Sequence, residues 1–361
     1  MSFFSLSHYF ILLFKRKHLM LKHERPPEKE KGGGFFGKLL RKVDGCDIQF
    51  HFDNKEDDKR VVIDDTFDKT SERMHLFTHE EPINGKIILT PKSSNYKHVG
   101  IVVELAGVIT TLGDRENKWE FVNQRKPFEA DVLNGPTELQ FAFNVPKQYE
   151  SYRGINAKVQ YLIRITINRP VMNVVGSEEV WVSMINSELT ESQPDASSQA
   201  SYFRETAFGP KSVSMDVGVG QVLHIEFKYD KKIFHLKERV LGKVTFKVMD
   251  LDLQYGEVGI LRKEYIGEGK SDDHVESETL QKFEIMDGTP CKGEVVPIRM
   301  YLKSIPRLTP SYPNVADRFR VKYFINLVLV TGEGKRYFKQ QEITLYRREG
   351  QLIPSTTQVS S

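Results

Sequence analysis

The sequence predicts an all-β protein of two β-sandwiches in tandem, and three observations carry that prediction. The first is a duplication. Phe77, Ile83, Gly85, Lys86 and Ile87 form F-x5-I-x-G-K-I, and Phe234, Val240, Gly242, Lys243 and Val244 repeat it as F-x5-V-x-G-K-V at an offset of 157. Lys158-Val159-x-Tyr161-Leu162-Ile163-x-Ile165 returns as Arg320-Val321-x-Tyr323-Phe324-Ile325-x-Leu327 at an offset of 162. Two matches in one order at nearly one spacing mark two copies of a unit. Two copies are too few for a solenoid, which needs about three stacked repeats to bury a core.

The second observation is a hydrophobic period of two, which turns alternate side chains to a core face and a solvent face. Ile48, Phe50 and Phe52 alternate with Gln49 and His51; Val159, Tyr161, Ile163, Ile165 and Ile167 alternate with Lys158, Gln160, Arg164 and Thr166; Leu223, Ile225, Phe227 and Tyr229 alternate with His224, Glu226 and Lys228. Such segments read as half-buried antiparallel strands. Asp44-Gly45, Asn84-Gly85, Asn134-Gly135 and Asp287-Gly288 are the expected turns between them, because these residues tolerate positive φ. No 3.6-residue apolar period runs beyond about two turns, so helices are not expected. The third observation is length: 361 residues exceed what one core usually organises.

In chain order, residues 1–34 are an N-terminal extension expected to be disordered, 35–186 the first sandwich, 187–212 a linker or extended loop, 213–349 the second sandwich and 350–361 a disordered tail. Phe3 to Phe14 is apolar but too short to span a membrane, and its positive charge follows the run where a secretory signal puts it before. Lys15 to Lys42 holds ten Lys/Arg and three acidic residues, a local +7 against the chain's +3, which leaves −4 for residues 43–361. A mildly acidic body argues against nucleic acid as partner. Cys46 and Cys291 fall at non-equivalent places in the two copies and are expected to be free thiols; no Asn-x-Ser/Thr occurs, which also suits a reducing compartment.

Motifs for chemistry fail on spacing. Gly269-Lys270-Ser271 resembles the end of a phosphate loop, but Glu264 stands where its first glycine is required; Gly334-Lys335-Arg336 fails at Leu329 and Arg336. His75 and His79 lie in strand-like sequence, where four residues span about 13 Å, too far for one zinc. His224 and Glu226 share a face, but one that alternates with four large apolar residues and so meets solvent. No catalytic residue, cofactor or metal ligand is expected, and the body reads as a scaffold or adaptor. The strand from Phe319 to Val330 reads as a core strand, with a peptide-accepting sheet edge as the alternative.

With these residues in view, the sequence resembles the arrestin-like subunit of retromer, the vacuolar protein sorting 26 family, from about Phe35 to Arg348. The likeness rests on HIEFKYDKKIFHLKERVLGKV (224–244), KFEIMDGTPCKGEVVPIRMYL (282–302), and FRVKYFINLVLV with RYFKQQEI (319–330 and 336–343). Pro146 to Tyr152 and Phe35-Phe36-Gly37 add to it in the first copy.

The resemblance implies two arrestin-like sandwiches in a non-enzymatic subunit, cytoplasmic and peripheral on the endosome membrane. Its implied partners are an α-solenoid subunit directly, a metallophosphatase-like subunit through that solenoid, sorting nexins, and cytosolic tails of transmembrane cargo, with membrane association mainly indirect. It implies solenoid binding at Leu253, Gln254 and Tyr255. The family favours a bulky apolar residue where this chain has Gly256, a departure expected to remove one anchor. It implies cargo and sorting-nexin binding at Phe319, Arg320, Val321 and Tyr323, with cargo adding as a strand. A signalling arrestin, the matching subunit of the retriever complex, and an enzymatic or ligand-binding sandwich are the competing readings; the FEIMDG and YFKQQE blocks favour retromer.

Overall fold

The structure is a computed structural model, and it describes residues 45–53, 59–64, 71–112, 116–185, 212–267 and 274–347. The expectations for residues 1–34, Phe35-Phe36-Gly37, 187–211, Gly269-Lys270-Ser271 and the tail from Gly350 lie outside the described residues. Within them the chain is all-β, with a short 3-10 turn at Leu302–Ser304 and no α-helix.

In the first copy, β1 (Cys46–Phe52), β4 (Ile83–Pro91) and β9 (Thr137–Phe143) form a small sheet in the order β1-β4-β9. The larger sheet facing it takes β2 (Arg60–Asp64), β3 (Ser71–Thr78), β6 (Ile101–Leu112), β7 (Glu116–Phe128), β11 (Ala157–Ile167) and β12 (Val174–Ser183) in the order β2-β3-β12-β11-β6-β7. The short β10 (Tyr152–Arg153) pairs with β11, and β5 (Tyr96–His98) pairs with β8 (Asp131–Leu133).

The second copy repeats this plan. Its small sheet runs β13-β14-β16-β19, from Val213–Val219, Leu223–Tyr229, Arg239–Met249 and Val295–Tyr301. Its large sheet runs β15-β22-β21-β17-β18, from Ile233–His235, Arg336–Tyr346, Phe319–Thr331, Leu253–Ile266 and His274–Asp287, with β20 (Tyr312–Val315) added to β21. The order β3-β12-β11-β6-β7 maps onto β15-β22-β21-β17-β18 strand for strand. Both copies pair their early strand parallel to their last, β3 with β12 and β15 with β22. Among the described residues, no sheet mixes strands from the two sides of 187–211.

The repeated glycine has one physical cause in both copies. Gly85 lies inside β4 opposite Phe52, where a Cβ would run into the His51 carbonyl; Gly242 lies inside β16 opposite Tyr229, where a Cβ would stand 2.6 Å from the Lys228 carbonyl oxygen. Asn84-Gly85 is therefore not the expected turn, because the glycine serves close backbone approach within a strand. Asp287-Gly288 does turn, with Gly288 at φ +85°.

The alternating residues read from sequence form the core. Val159, Tyr161, Ile163, Ile165 and Ile167 are buried on β11, and Val321, Tyr323, Ile325, Leu327 and Leu329 on β21. His224 reaches Asp216 at 3.1 Å and Glu226 pairs with Lys228 and Lys247, which puts both on the solvent side.

Candidate functional site

The strand expected to accept cargo is central, not an edge. Along Phe319–Tyr323, β21 is paired with β17 on one side and with β20 and the start of the β22 ladder on the other. Phe319, Val321 and Tyr323 are fully buried, and Arg320 alone of the four points outward, half-buried with its guanidinium 5.4 Å from the Tyr265 ring. The free edge is thereby corrected: both rows of backbone groups are engaged, so a peptide has no ladder to join here while β20 stays in place.

What this segment meets is the first sandwich. The Phe319 ring lies 5.8 Å from that of Tyr152, and the Tyr152 and Tyr312 rings are 5.0 Å apart. Tyr152 and Tyr312 occupy equivalent places, opposite Val159 in one copy and Val321 in the other. Around them runs a buried polar seam. Glu264, on the inner face of β17, accepts from the Tyr152 hydroxyl at 2.7 Å and from the backbone N–H groups of Ile155 and Asn156 at 2.8 Å each. Arg262, two residues before it, donates to Glu278 at 2.6 Å. Burial holds the Tyr152 phenol far above its ordinary pKa, so it stays a donor to the carboxylate.

A second buried pair closes the seam. Arg347 grips Glu150 with two bonds, Nη2 to Oε1 at 2.7 Å and Nε to Oε2 at 3.2 Å, and Glu150 also accepts from the Met184 N–H. Burial alone would lower the Arg347 pKa, but Glu150 beside it outweighs that and holds it above its ordinary value. Tyr312 donates to the Ser151 carbonyl, and the Ala316 N–H to the Tyr149 hydroxyl. The Tyr149-Glu150-Ser151-Tyr152 block thus binds one sandwich to the other. Sequence reading passed over these charges; the signal was Arg262 and Glu264 at inward positions of an otherwise apolar alternation.

The proposed solenoid loop is placed less simply than expected. Leu253 is 2% exposed and its N–H donates to the Thr289 hydroxyl, so it belongs to the core; Gln254 is exposed and Tyr255 half-buried. Gly256 points inward, where a Cβ would meet the Met286 side chain at 2.9 Å and Leu329 at 3.3 Å. A bulky residue at 256 would therefore enter core space that Met286 takes here. On the outer face, Tyr255 lies opposite Val330, and the next row sets Val328 opposite Phe338. Phe338 is 65% exposed, so Tyr255 and Phe338 both present rings on this outer surface. Phe338 was not singled out from the sequence, although it stands in the RYFKQQEI block.

A sequence profile described as Vacuolar protein sorting-associated protein 26 matches residues 43–334. The chain belongs to the vacuolar protein sorting 26 family. It is 39% identical over 84% of its length to Vacuolar protein sorting-associated protein 26 of Dictyostelium discoideum, covering 82% of that protein. It is 34% identical to the namesake of Schizosaccharomyces pombe, over 84% of this chain and 95% of that one, and 36% identical to protein 26B of Arabidopsis thaliana, over 84% and 94%. The family is one of sorting subunits, not enzymes, and membership gives this chain a role in vacuolar protein sorting. No helix among the described residues is long and apolar enough to cross a membrane. Among the described residues no three His, Cys, Asp or Glu side chains gather as a metal site.

Proposed function

We infer that this chain is the arrestin-like adaptor of a retromer complex, peripheral on endosomes. In this reading it binds the α-solenoid subunit and helps select transmembrane cargo tails for retrograde and recycling transport. Family membership across most of the chain carries the reading. The metallophosphatase-like subunit is then an indirect partner, and sorting nexins and cargo tails are direct ones. Solenoid contact centres on Gln254 and Tyr255 and extends to Phe338, since accessible aromatic anchors carry most of an interface's energy. Leu253 supports the loop from beneath. Cargo addition at Phe319, Arg320, Val321 and Tyr323 requires β20 to leave β21, to which it is held by two residue pairs.

The test is titration calorimetry of the solenoid subunit against a Tyr255→Ser, Phe338→Ala double variant. Binding should weaken at least about tenfold, equivalent to about 1.4 kcal/mol, with an unchanged melting curve. Undiminished binding would remove this surface from the interface.

A further inference from the structure

On the outer face of the first sandwich's large sheet, near the β6–β7 hairpin, Thr110, Leu112, Glu116, Lys118, Asn156, Lys158 and Gln160 line a cavity of about 120 Å³. Its floor is set by strand register. Thr110 on β6 lies directly opposite Lys158 on β11 and directly opposite Lys118 on β7, so the three side chains rise from one face in a row. Neighbours in such a row have Cβ atoms about 5 Å apart. Two lysine side chains therefore rise on either side of a threonine.

That hydroxyl is the second observation. Thr110 is 5% exposed, and its Oγ1 has no hydrogen-bond partner, though it borders a polar cavity. A buried hydroxyl left unpaired costs about 1–3 kcal/mol, and a ligand that accepts from it recovers that loss. At about 30 Å³ per water, the cavity holds about four waters, far below the roughly 300 Å³ where drug-sized pockets begin. The volume suits a compact ion. Glu116 reaches the Lys118 ammonium at 3.2 Å, with both side chains more than half exposed, so this internal anion is held loosely and is open to replacement.

We propose that this cavity is a binding site for a small oxyanion of the phosphate class, taken between Lys118 and Lys158 and accepting from the Thr110 hydroxyl. Charge-assisted bonds to a dianion exceed what the exposed Glu116 carboxylate offers Lys118. Asn156, whose side chain borders the site, also gives its backbone N–H to Glu264 of the seam. The anion thus binds beside the junction of the two sandwiches.

The experiment is calorimetric titration of the full chain with inorganic phosphate at fixed ionic strength. The native chain should bind saturably. Lys118→Gln and Lys158→Gln should each weaken binding at least about tenfold, and Thr110→Val about threefold. Glu116→Gln, on the same exposed hairpin, should tighten it by removing the competing carboxylate. Opposite signs from residues two apart exclude a general loss of folding. Absence of saturable binding in the native chain, or equal binding in all variants, overturns the site. Vesicles with and without a phosphatidylinositol monophosphate identify the source among positive outcomes. Loss of vesicle binding in Lys118→Gln assigns the phosphate to a lipid headgroup; unchanged vesicle binding with lost phosphate binding assigns it to a soluble phosphate.

Discussion

The two sandwiches set their strands in the same order yet fill one matching corner with opposite chemistry. In the first copy, Gly107 and Ile109 of β6 lie opposite Tyr161 and Val159. In the second, Arg262 and Glu264 of β17 lie opposite Tyr323 and Val321. The first corner is apolar: Ile109 is fully buried, and the Phe121 ring fills the space a Cβ on Gly107 would need, itself 5.2 and 5.5 Å from the rings of Tyr149 and Tyr161. The second corner is charged and just as deeply buried. The difference shows what each copy was left to do. An apolar corner completes its own core, whereas Glu264 spends its oxygens on Tyr152, Ile155 and Asn156 of the other copy. The carboxylate that stands where the other copy has isoleucine is thus one of the ties between the copies, beside the Arg347–Glu150 pair.

Removing that carboxylate should give the largest effect. Glu264→Ala orphans two backbone N–H groups and the Tyr152 hydroxyl, and it leaves Arg262 with one neighbouring carboxylate, Glu278, in place of two. Breaking a buried charge pair from one side costs about 3–5 kcal/mol, read as a fall in the denaturant midpoint. Glu264→Gln keeps an acceptor oxygen and should lose less than half as much. Equal losses for Ala and Gln would make charge, not hydrogen bonding, the organising term; no loss for either would show that the seam does not hold the copies together.

Phe319→Ala tests the same junction through packing. Phe319 is fully buried against Tyr152 and Tyr312, and truncating a buried phenylalanine costs about 3–5 kcal/mol. With three hydrogen bonds spared, it should fall somewhat below Glu264→Ala. If cargo adds to this strand, β20 must first leave, so a cargo peptide in the assembled complex should raise amide exchange across Tyr312–Val315. Unchanged exchange with cargo bound would place the cargo site elsewhere.

These two residues also mark how far the sequence could be read. Alternation in Phe319–Leu329 identified a core strand, and the repeat of Gly85 at Gly242 identified the duplication, because both depend on local periodicity. Neither says which end of a buried face packs on its own partner sheet and which end on a sister domain. Thus the sequence marked Phe319 as an inward residue without showing that it packs on Tyr152 of the other copy, and it marked Leu253 without showing that its side chain lies beneath the loop. Asn84-Gly85 looked like a turn because composition marks permissive backbone, while the structure uses the glycine for close approach. Phe338 escaped notice because exposure of an aromatic on an edge segment follows from sheet order, which one sequence does not state.

The smallest effect leaves stability untouched and reports each copy separately, since each carries one free thiol. Cys46 is buried at the start of β1, where burial first and the neighbouring Asp47 second push its pKa up to about 11. At pH 8 about one molecule in a thousand holds it as thiolate, the nucleophilic form. Cys291 is exposed in the turn after β18. An alkylating reagent should therefore modify Cys291 alone in the native chain, with Cys46 following only as the first sandwich opens; mass spectrometry of the two peptides separates them. The same labelling on Glu264→Ala sharpens the comparison between copies. If Glu264 acts only as a tie, the first sandwich keeps its own apolar corner, and Cys46 should stay protected under conditions where the copies have come apart. Rapid labelling of Cys46 there would mean that the first copy depends on its sister to fold.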